Sequence, residues 1–149
     1  MMRHTNDTRE RKEKRMKVLF IGGTGTISTA ISTRLLQEGH ELWLINRGTR
    51  NDVLPPGANI ITADINDEET VAQKLKGHTF DVVADFIAFV PGQLERDYRL
   101  FRDKTRQFIY ISSASAYQKP LSDYRIDEGT PLANPYWEYS RNKIAGEEL

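Results

Sequence analysis

The sequence predicts an α/β fold with a doubly wound, mainly parallel sheet, and three observations carry that prediction. Lys17-Val-Leu-Phe-Ile-Gly-Gly-Thr-Gly-Thr-Ile-Ser28 passes from a short apolar run through a glycine turn into helical spacing. Four further apolar runs follow, at 41–46, 60–64, 81–86 and 107–112. Segments of helical period or turn residues separate them, the alternation that builds parallel sheets with right-handed crossovers.

In the first unit, Val18 to Ile21 is too short for a helix and rich in strand formers, which predicts a buried strand. Ile27, Ala30, Ile31, Leu35 and Leu36 then repeat at helical intervals and predict the helix's inner face. Strand, glycine turn and helix together bring a diphosphate against backbone N–H groups at a helix N-terminus. Gly22 and Gly23 are expected to adopt angles closed to other residues, and Gly25 to let a phosphate approach without meeting a Cβ. Ser28 stands where a third glycine is usual, so a slightly looser helix–sheet fit is expected. The same pattern also describes a tight turn with no ligand.

Gly39 supplies a helix C-cap, and Glu41-Leu-Trp-Leu-Ile-Asn46 reads as the second strand. The end of such a strand meets an adenosine ribose in dinucleotide sites, where an acid holds the 2′-hydroxyl or an arginine takes a 2′-phosphate. Asn46-Arg47 has no acid to repel a phosphate, which leans toward NADP. Asn46 can still bond a free hydroxyl, so NAD stays open, and Arg47 is equally readable as an exposed turn residue. Gly48, Pro55, Pro56 and Gly57 mark a loop to Asn59. Ile60-Ile-Thr-Ala-Asp64 is a third strand, and Asn66 with Glu69 predicts a capped helix whose inner face is Val71, Ala72 and Leu75. Asp64 and Ile65 fall at the strand's carboxyl edge as candidate adenine contacts; a turn aspartate is the competing reading. Asp81-Val-Val-Ala-Asp-Phe86 is the fourth strand, Pro91 opens a helix carrying Leu94, Tyr98 and Phe101, and Gln107-Phe-Ile-Tyr-Ile-Ser112 is the fifth.

Composition narrows the chemistry. The 21 basic and 21 acidic side chains cancel, so no global charge draws the chain to nucleic acid or acidic membranes. Cysteine is absent, which removes disulfides and thiolate metal sites and suits a reducing cytoplasm. His4, His40 and His78 have no ligand spacing, so no metal is expected; the latter two follow glycines and are expected to be partly exposed. No run is long enough to span a bilayer. Residues 1–15 are charged, basic and nearly free of apolar side chains, which predicts a solvated, disordered tail before a domain spanning 16–149.

The candidate chemistry lies after the fifth strand. Ser112 and Ser113 sit at its carboxyl end, and Tyr139 and Lys143 share one face of a final predicted helix. A phenol beside an ammonium is a workable acid–base pair, since a fixed cation favours the phenolate and draws its pKa down from about 10. A serine hydroxyl across the pocket can hold the substrate oxygen. Two helix-surface residues at this spacing are otherwise a common accident.

Gly22-Gly-Thr-Gly25-Thr-Ile, Ala63-Asp64-Ile65, Ile111-Ser-Ser113-Ala-Ser-Ala-Tyr117 and Tyr139-Ser-Arg-Asn-Lys143 occur in that order. With them the chain resembles the extended and atypical short-chain dehydrogenase/reductases, particularly the NAD-dependent epimerase/dehydratase group acting on nucleotide sugars. The resemblance implies a Rossmann-like NAD(P)-binding fold, with Tyr139 as catalytic acid–base and Lys143 as its electrostatic partner and ribose anchor. It gives Ser113 the substrate-hydroxyl role, with Ser112 the alternative, and places Phe86, Ile87 and Ala88 along the cofactor beside Gly22, Gly23, Thr24, Gly25, Thr26 and Ile27. Ser28, the absent acid at Asn46 and Gln118 after Tyr117 depart from the family pattern; the first two bear on the choice of NAD or NADP. The implied reaction is transient hydride transfer at a carbinol, leading to epimerisation, dehydration or reduction.

Relatives of this kind continue beyond the point where Glu147-Glu-Leu149 ends, adding strands and a substrate region. The expectation is therefore an amino-terminal part that binds cofactor without efficient turnover. A non-catalytic dinucleotide sensor and an RNA-binding relative are the alternatives; the first conflicts with the Tyr139–Lys143 pair, and the second rests on the basic tail and on atypical members of the family that resemble chloroplast stem-loop-binding proteins. Family habit also suggests a homodimer through the helices 91–102 and 139–149.

Overall fold

The computed structural model describes residues 15–49 and 53–149. The strands are Lys17–Ile21 (β1), Glu41–Asn46 (β2), Asn59–Thr62 (β3), Phe80–Asp85 (β4) and Thr105–Tyr110 (β5). The helices are Thr26–Gln37 (α1), Glu68–Lys74 (α2), Pro91–Phe101 (α3) and Glu138–Glu147 (α4). All four strand pairings are parallel, in the order β3-β2-β1-β4-β5. The chain therefore runs outward from β1 to β3, then returns to lay β4 on the other side of β1. That reversal opens a crevice at the carboxyl ends of β1 and β4, where open α/β sheets bind ligands.

Burial on both sheet faces explains the continuous apolar runs. Leu19 and Ile21 join Ile45, Ile61, Val71, Leu75, Val83, Leu100 and Phe101 in one core cluster, beneath α2 and α3. Val18 and Phe20 point the other way, with Leu42, Leu44 and Ala84, and meet Leu35 and Leu36 of α1. This is the period-two alternation of a strand read on two covered faces.

Several local expectations are corrected. The buried residues of α1 are Ser28 and Ser32, whereas Ile27 and Ile31 are exposed. Small hydroxyls let the helix sit close to the sheet, and the isoleucines face outward. Of α2's expected inner face, Val71 and Leu75 are buried but Ala72 is exposed. Its N-cap is Asp67, whose carboxylate accepts the Thr70 N–H at 3.1 Å, rather than Asn66. In α3, Leu94 and Phe101 are buried, Tyr98 is exposed, and Arg96 and Asp97 are buried instead. His40 is buried, with Nδ1 accepting the Met16 N–H at 3.2 Å. The basic tail lies outside the described residues, apart from Arg15.

Glycine is required in the turn by space at Gly22 and Gly23, and by conformation at Gly22 alone; a Cβ on Gly22 would lie 2.3 Å from Ile87 Cγ2. Gly22 has φ +82°, as expected, but Gly23 does not share the left-handed region. Gly23 is required because a Cβ there would lie 2.5 Å from Leu44 Cδ2. At Gly25 a Cβ would meet only Ser28 Oγ, at 3.5 Å. Gly23→Ala is therefore expected to destabilise the fold by about 1–3 kcal/mol through overpacking, and Gly25→Ala by less than about 1 kcal/mol. Denaturant midpoints check this, and equal losses would contradict the assignment.

Candidate functional site

A cleft of about 950 Å³ follows the carboxyl edge of the sheet from the glycine turn to α4. Its volume suits a large cofactor. It brings together Gly22, Thr24, Gly25, Thr26 and Ile27 with Asn46, Arg47, Asp64 and Ile65. Phe86, Ile87, Ser113, Tyr139 and Lys143 complete the expected set. Two expected residues do not line it. Gly23 is packed against Leu44, and Ala88 is buried beneath the surface.

At one end the turn is held shut by Ser28. Its buried hydroxyl accepts the Gly25 N–H at 3.0 Å and lies within donor reach of the carbonyls of Gly22 and Gly25, at 3.2 and 3.1 Å. The serine thus ties the turn together, where a looser fit was expected. The first N–H groups of α1 have no carbonyl partner within the helix, which leaves donors and a positive dipole end facing the cleft.

The next stretch carries an unmatched donor. Asn46 Oδ1 accepts the Gly48 N–H at 3.0 Å, which fixes the amide, but its buried Nδ2 has no hydrogen-bond partner among the described residues. Buried polar groups normally find a partner, so this donor at the end of β2 fits an acceptor brought by a ligand. Arg47 is exposed on the same wall. Asp64 closes a local turn, its Oδ1 accepting from Asn66 N and Nδ2, both at 2.9 Å. The exposed carboxylate also borders the cleft.

At the far end, Lys143 is the organising charge. It is buried, and Nζ donates to Ala88 O at 2.7 Å and Ile111 O at 2.8 Å. An ammonium has three donors, so one remains for the cleft. Nζ also lies 4.6 Å from the Tyr110 ring centroid and 5.6 Å from that of Tyr139. Desolvation draws the Lys143 pKa below its usual range, opposed by the charges of Asp85 and Glu147. The Tyr110 phenol, desolvated and facing Tyr139, Glu147 and Asp85, is pushed up to about 12.

Tyr139 is half-buried between Trp137 and Phe89, with centroids 4.8 and 6.3 Å away. Ser113 Oγ accepts the Ser115 N–H at 3.2 Å and pairs with Ser115 Oγ at 2.9 Å. Ser112 also borders the cleft, but its hydroxyl donates to Glu147 of α4, a tie that sequence reasoning missed. Also missed were Phe89 and Gln93; Gln93, three residues after Val90, could have been recognised as a cap, since its Oε1 accepts the Phe89 and Val90 N–H groups. Among the described residues no group of three acidic, histidine or cysteine side chains could hold a metal ion, and no helix is long and apolar enough to cross a membrane.

Comparison with known proteins agrees with this architecture. Residues 18–149 match the family model described as NAD dependent epimerase/dehydratase family. A UDP-glucose 4-epimerase from Lactobacillus helveticus is 28% identical over 154 residues, covering 90% of this chain and 46% of that protein. The Arabidopsis thaliana chloroplast stem-loop binding protein of 41 kDa b is 30% identical over 116 residues, or 69% of this chain and 30% of that one. The crystal structure of Bordetella bronchiseptica WbmG in complex with NAD and UDP superposes with a TM-score of 0.71 at 21% identity, covering 90% of this chain and 48% of WbmG. The chain spans less than half the length of each of these three proteins. A family match over nearly all the described sheet and helices places this chain in the NAD dependent epimerase/dehydratase family.

Proposed function

We propose that the cleft holds NAD and that the chain contributes the cofactor-binding and acid–base part of a nucleotide-sugar epimerase or dehydratase. The observation that carries this reading is the continuity of one cleft. It runs from the glycine turn and the α1 N-terminus, past the unmatched Asn46 donor, to Ser113, Tyr139 and Lys143. The epimerase named among the relatives and the NAD and UDP of the WbmG complex support the choice of cofactor and substrate class.

In this reading the N–H groups at the start of α1 take the diphosphate, and Gly25 leaves room for it. Asn46 Nδ2 donates to the adenosine ribose, and Asp64 and Ile65 flank the adenine. Phe86 and Ile87 form the wall under the nicotinamide side, with Ala88 behind them holding Lys143. The free Lys143 donor anchors the second ribose. Bound NAD supplies a hydride acceptor and donor. Tyr139 takes the proton from the sugar hydroxyl, and the Lys143 charge stabilises the phenolate. Ser113 orients the reacting oxygen, and Ser112, engaged by Glu147, is less free to do so. Placement and charge are the protein's contribution to a step whose chemistry belongs to the cofactor.

Calorimetric titration tests the cofactor assignment. NAD⁺ is expected to bind more tightly than NADP⁺, with Arg47→Ala changing the NAD⁺ affinity by less than about threefold, or about 0.7 kcal/mol. Tighter NADP⁺ binding that Arg47→Ala abolishes would replace this with a 2′-phosphate site. Lys143→Ala is expected to weaken NAD⁺ by about tenfold or more, the worth of one charge-assisted hydrogen bond. Unchanged affinity in that variant would remove Lys143 from the cofactor site.

A further inference from the structure

Behind the cleft wall lies a pair of acids that the chemistry above does not use. Asp85 ends β4 and Asp97 sits on α3; both are fully buried, at 0% exposure. Asp85 Oδ1 accepts the N–H groups of Ile87 at 2.7 Å and Ala88 at 2.9 Å, so it shapes the segment that walls the cleft and holds Lys143. Asp85 Oδ2 is buried and receives no N–H or hydroxyl donor among the described residues. The Asp97 carboxyl is the neighbouring acid with which the Asp85 side chain can share a hydrogen bond. Asp97 in turn is gripped by Arg96, Nε to Oδ1 at 2.8 Å and Nη2 to Oδ2 at 3.0 Å. Arg96 Nη1 continues to Asn66 Oδ1 at 2.7 Å, beside the Asp64 turn on the cleft's opposite wall.

Two ionised carboxylates in contact inside a dry core repel strongly, and Arg96 is the only one of the neighbouring cations hydrogen-bonded to either of them among the described residues. A proton between them satisfies the orphan oxygen, turns repulsion into a hydrogen bond and leaves the trio with Arg96 neutral. We propose that Asp85 and Asp97 share one buried proton, and that this closed carboxyl pair is a positioning element. It holds residues 86–88, and through Ala88 the Lys143 ammonium, against the cofactor cleft, and it sets an alkaline limit on cofactor binding. The last part rests on the cofactor reading above.

Burial and the neighbouring Asp85 push the Asp97 carboxyl from its ordinary 3.8 up to about 8, against the pull of Arg96. Among the described residues, the other charged or titratable groups facing the pair are Arg99 on α3, Lys143 on α4 and Tyr110 on β5, and Glu147 faces the latter two. Lys143 is itself drawn below its usual range, so the test must separate it from the acids. The linkage sign is definite. The folded chain keeps a proton that the unfolded chain releases above 3.8, so this pair's contribution is full below 3.8 and is lost as pH rises toward about 8.

The first measurement needs no ligand and no variant. Infrared difference spectra of the wild-type chain should show a protonated-carboxyl band at pH 7 that disappears with a midpoint near 8; its absence at pH 7 overturns the proposal. The second is NAD⁺ affinity across alkaline pH in wild type and Asp97→Asn, whose amide can donate to Asp85 without titrating. Wild-type affinity should fall about tenfold per pH unit above 8, as the competent fraction falls, while Asp97→Asn stays flat over that range. An Asp97→Asn profile as steep as wild type assigns the loss to Lys143 and overturns the positioning role. Should Asp97→Asn fail to fold, Asp85→Asn, which also supplies a fixed donor to the partner acid, takes its place, and the wild-type band decides if both fail. A carboxyl band without NAD⁺ binding at any pH would refute the cofactor reading and the alkaline limit, while leaving the shared proton standing.

Discussion

The site depends on where one buried ammonium is tied. Lys143 leaves α4 and donates to Ala88 O and Ile111 O, the segments that follow β4 and β5. Two strand ends and a helix are thereby fixed by a single group. A buried cation is costly, and this one is kept by two carbonyl dipoles, by the ring faces of Tyr110 and Phe89, and by the field of Asp85. Close approach makes the tie possible. Gly146 sits where a Cβ would lie 2.9 Å from both Leu94 Cδ1 and Tyr110 Oη, so α4 can lie tightly against α3 and β5. Tyr139, one turn earlier, is delivered to the cleft by the same packing.

The opposite end is built with different means. There the turn is held by backbone geometry and by Ser28, and the start of α1 borders the cleft. The crevice between the two ends follows from strand order, since β1 and β4 diverge into separate crossovers. One face of the molecule thus offers backbone donors at its first end and the Ser113, Tyr139 and Lys143 side chains at its second. The division suits a dinucleotide whose diphosphate needs anchoring and whose nicotinamide needs reacting groups nearby.

Much of this was legible in the sequence because the signals were backbone signals. Strand runs, Gly22 with its positive φ, Pro91 at a helix start and the four-residue step from Tyr139 to Lys143 each act through local geometry. What escaped was set by tertiary contact. The α1 spacing pointed to Ile27 and Ile31 as the inner face, but Ser28 and Ser32 are the buried residues; Ser28 is held by its hydrogen bonds to the turn, and both are small enough to sit at a close helix–sheet contact. Asp97 and Arg96 drew no expectation from the sequence, and their burial is explained only by Asp85 and Asn66, 12 and 30 residues away. Asp67 displaced Asn66 as the α2 cap for a similar reason. Asn66 is held by Asp64 and Arg96, which leaves Asp67 to meet Thr70.

The central claim is that one continuous cleft is a dinucleotide site, and hydrogen exchange with and without NAD⁺ tests it most directly. Slowed exchange is expected at both ends together, in the amides of 22–28 and in those of 86–88 and 111–113, with the separate groove lined by Tyr98, Arg102 and Phe108 unchanged. Slowing confined to one end, or displaced to that groove, would contradict the dinucleotide site.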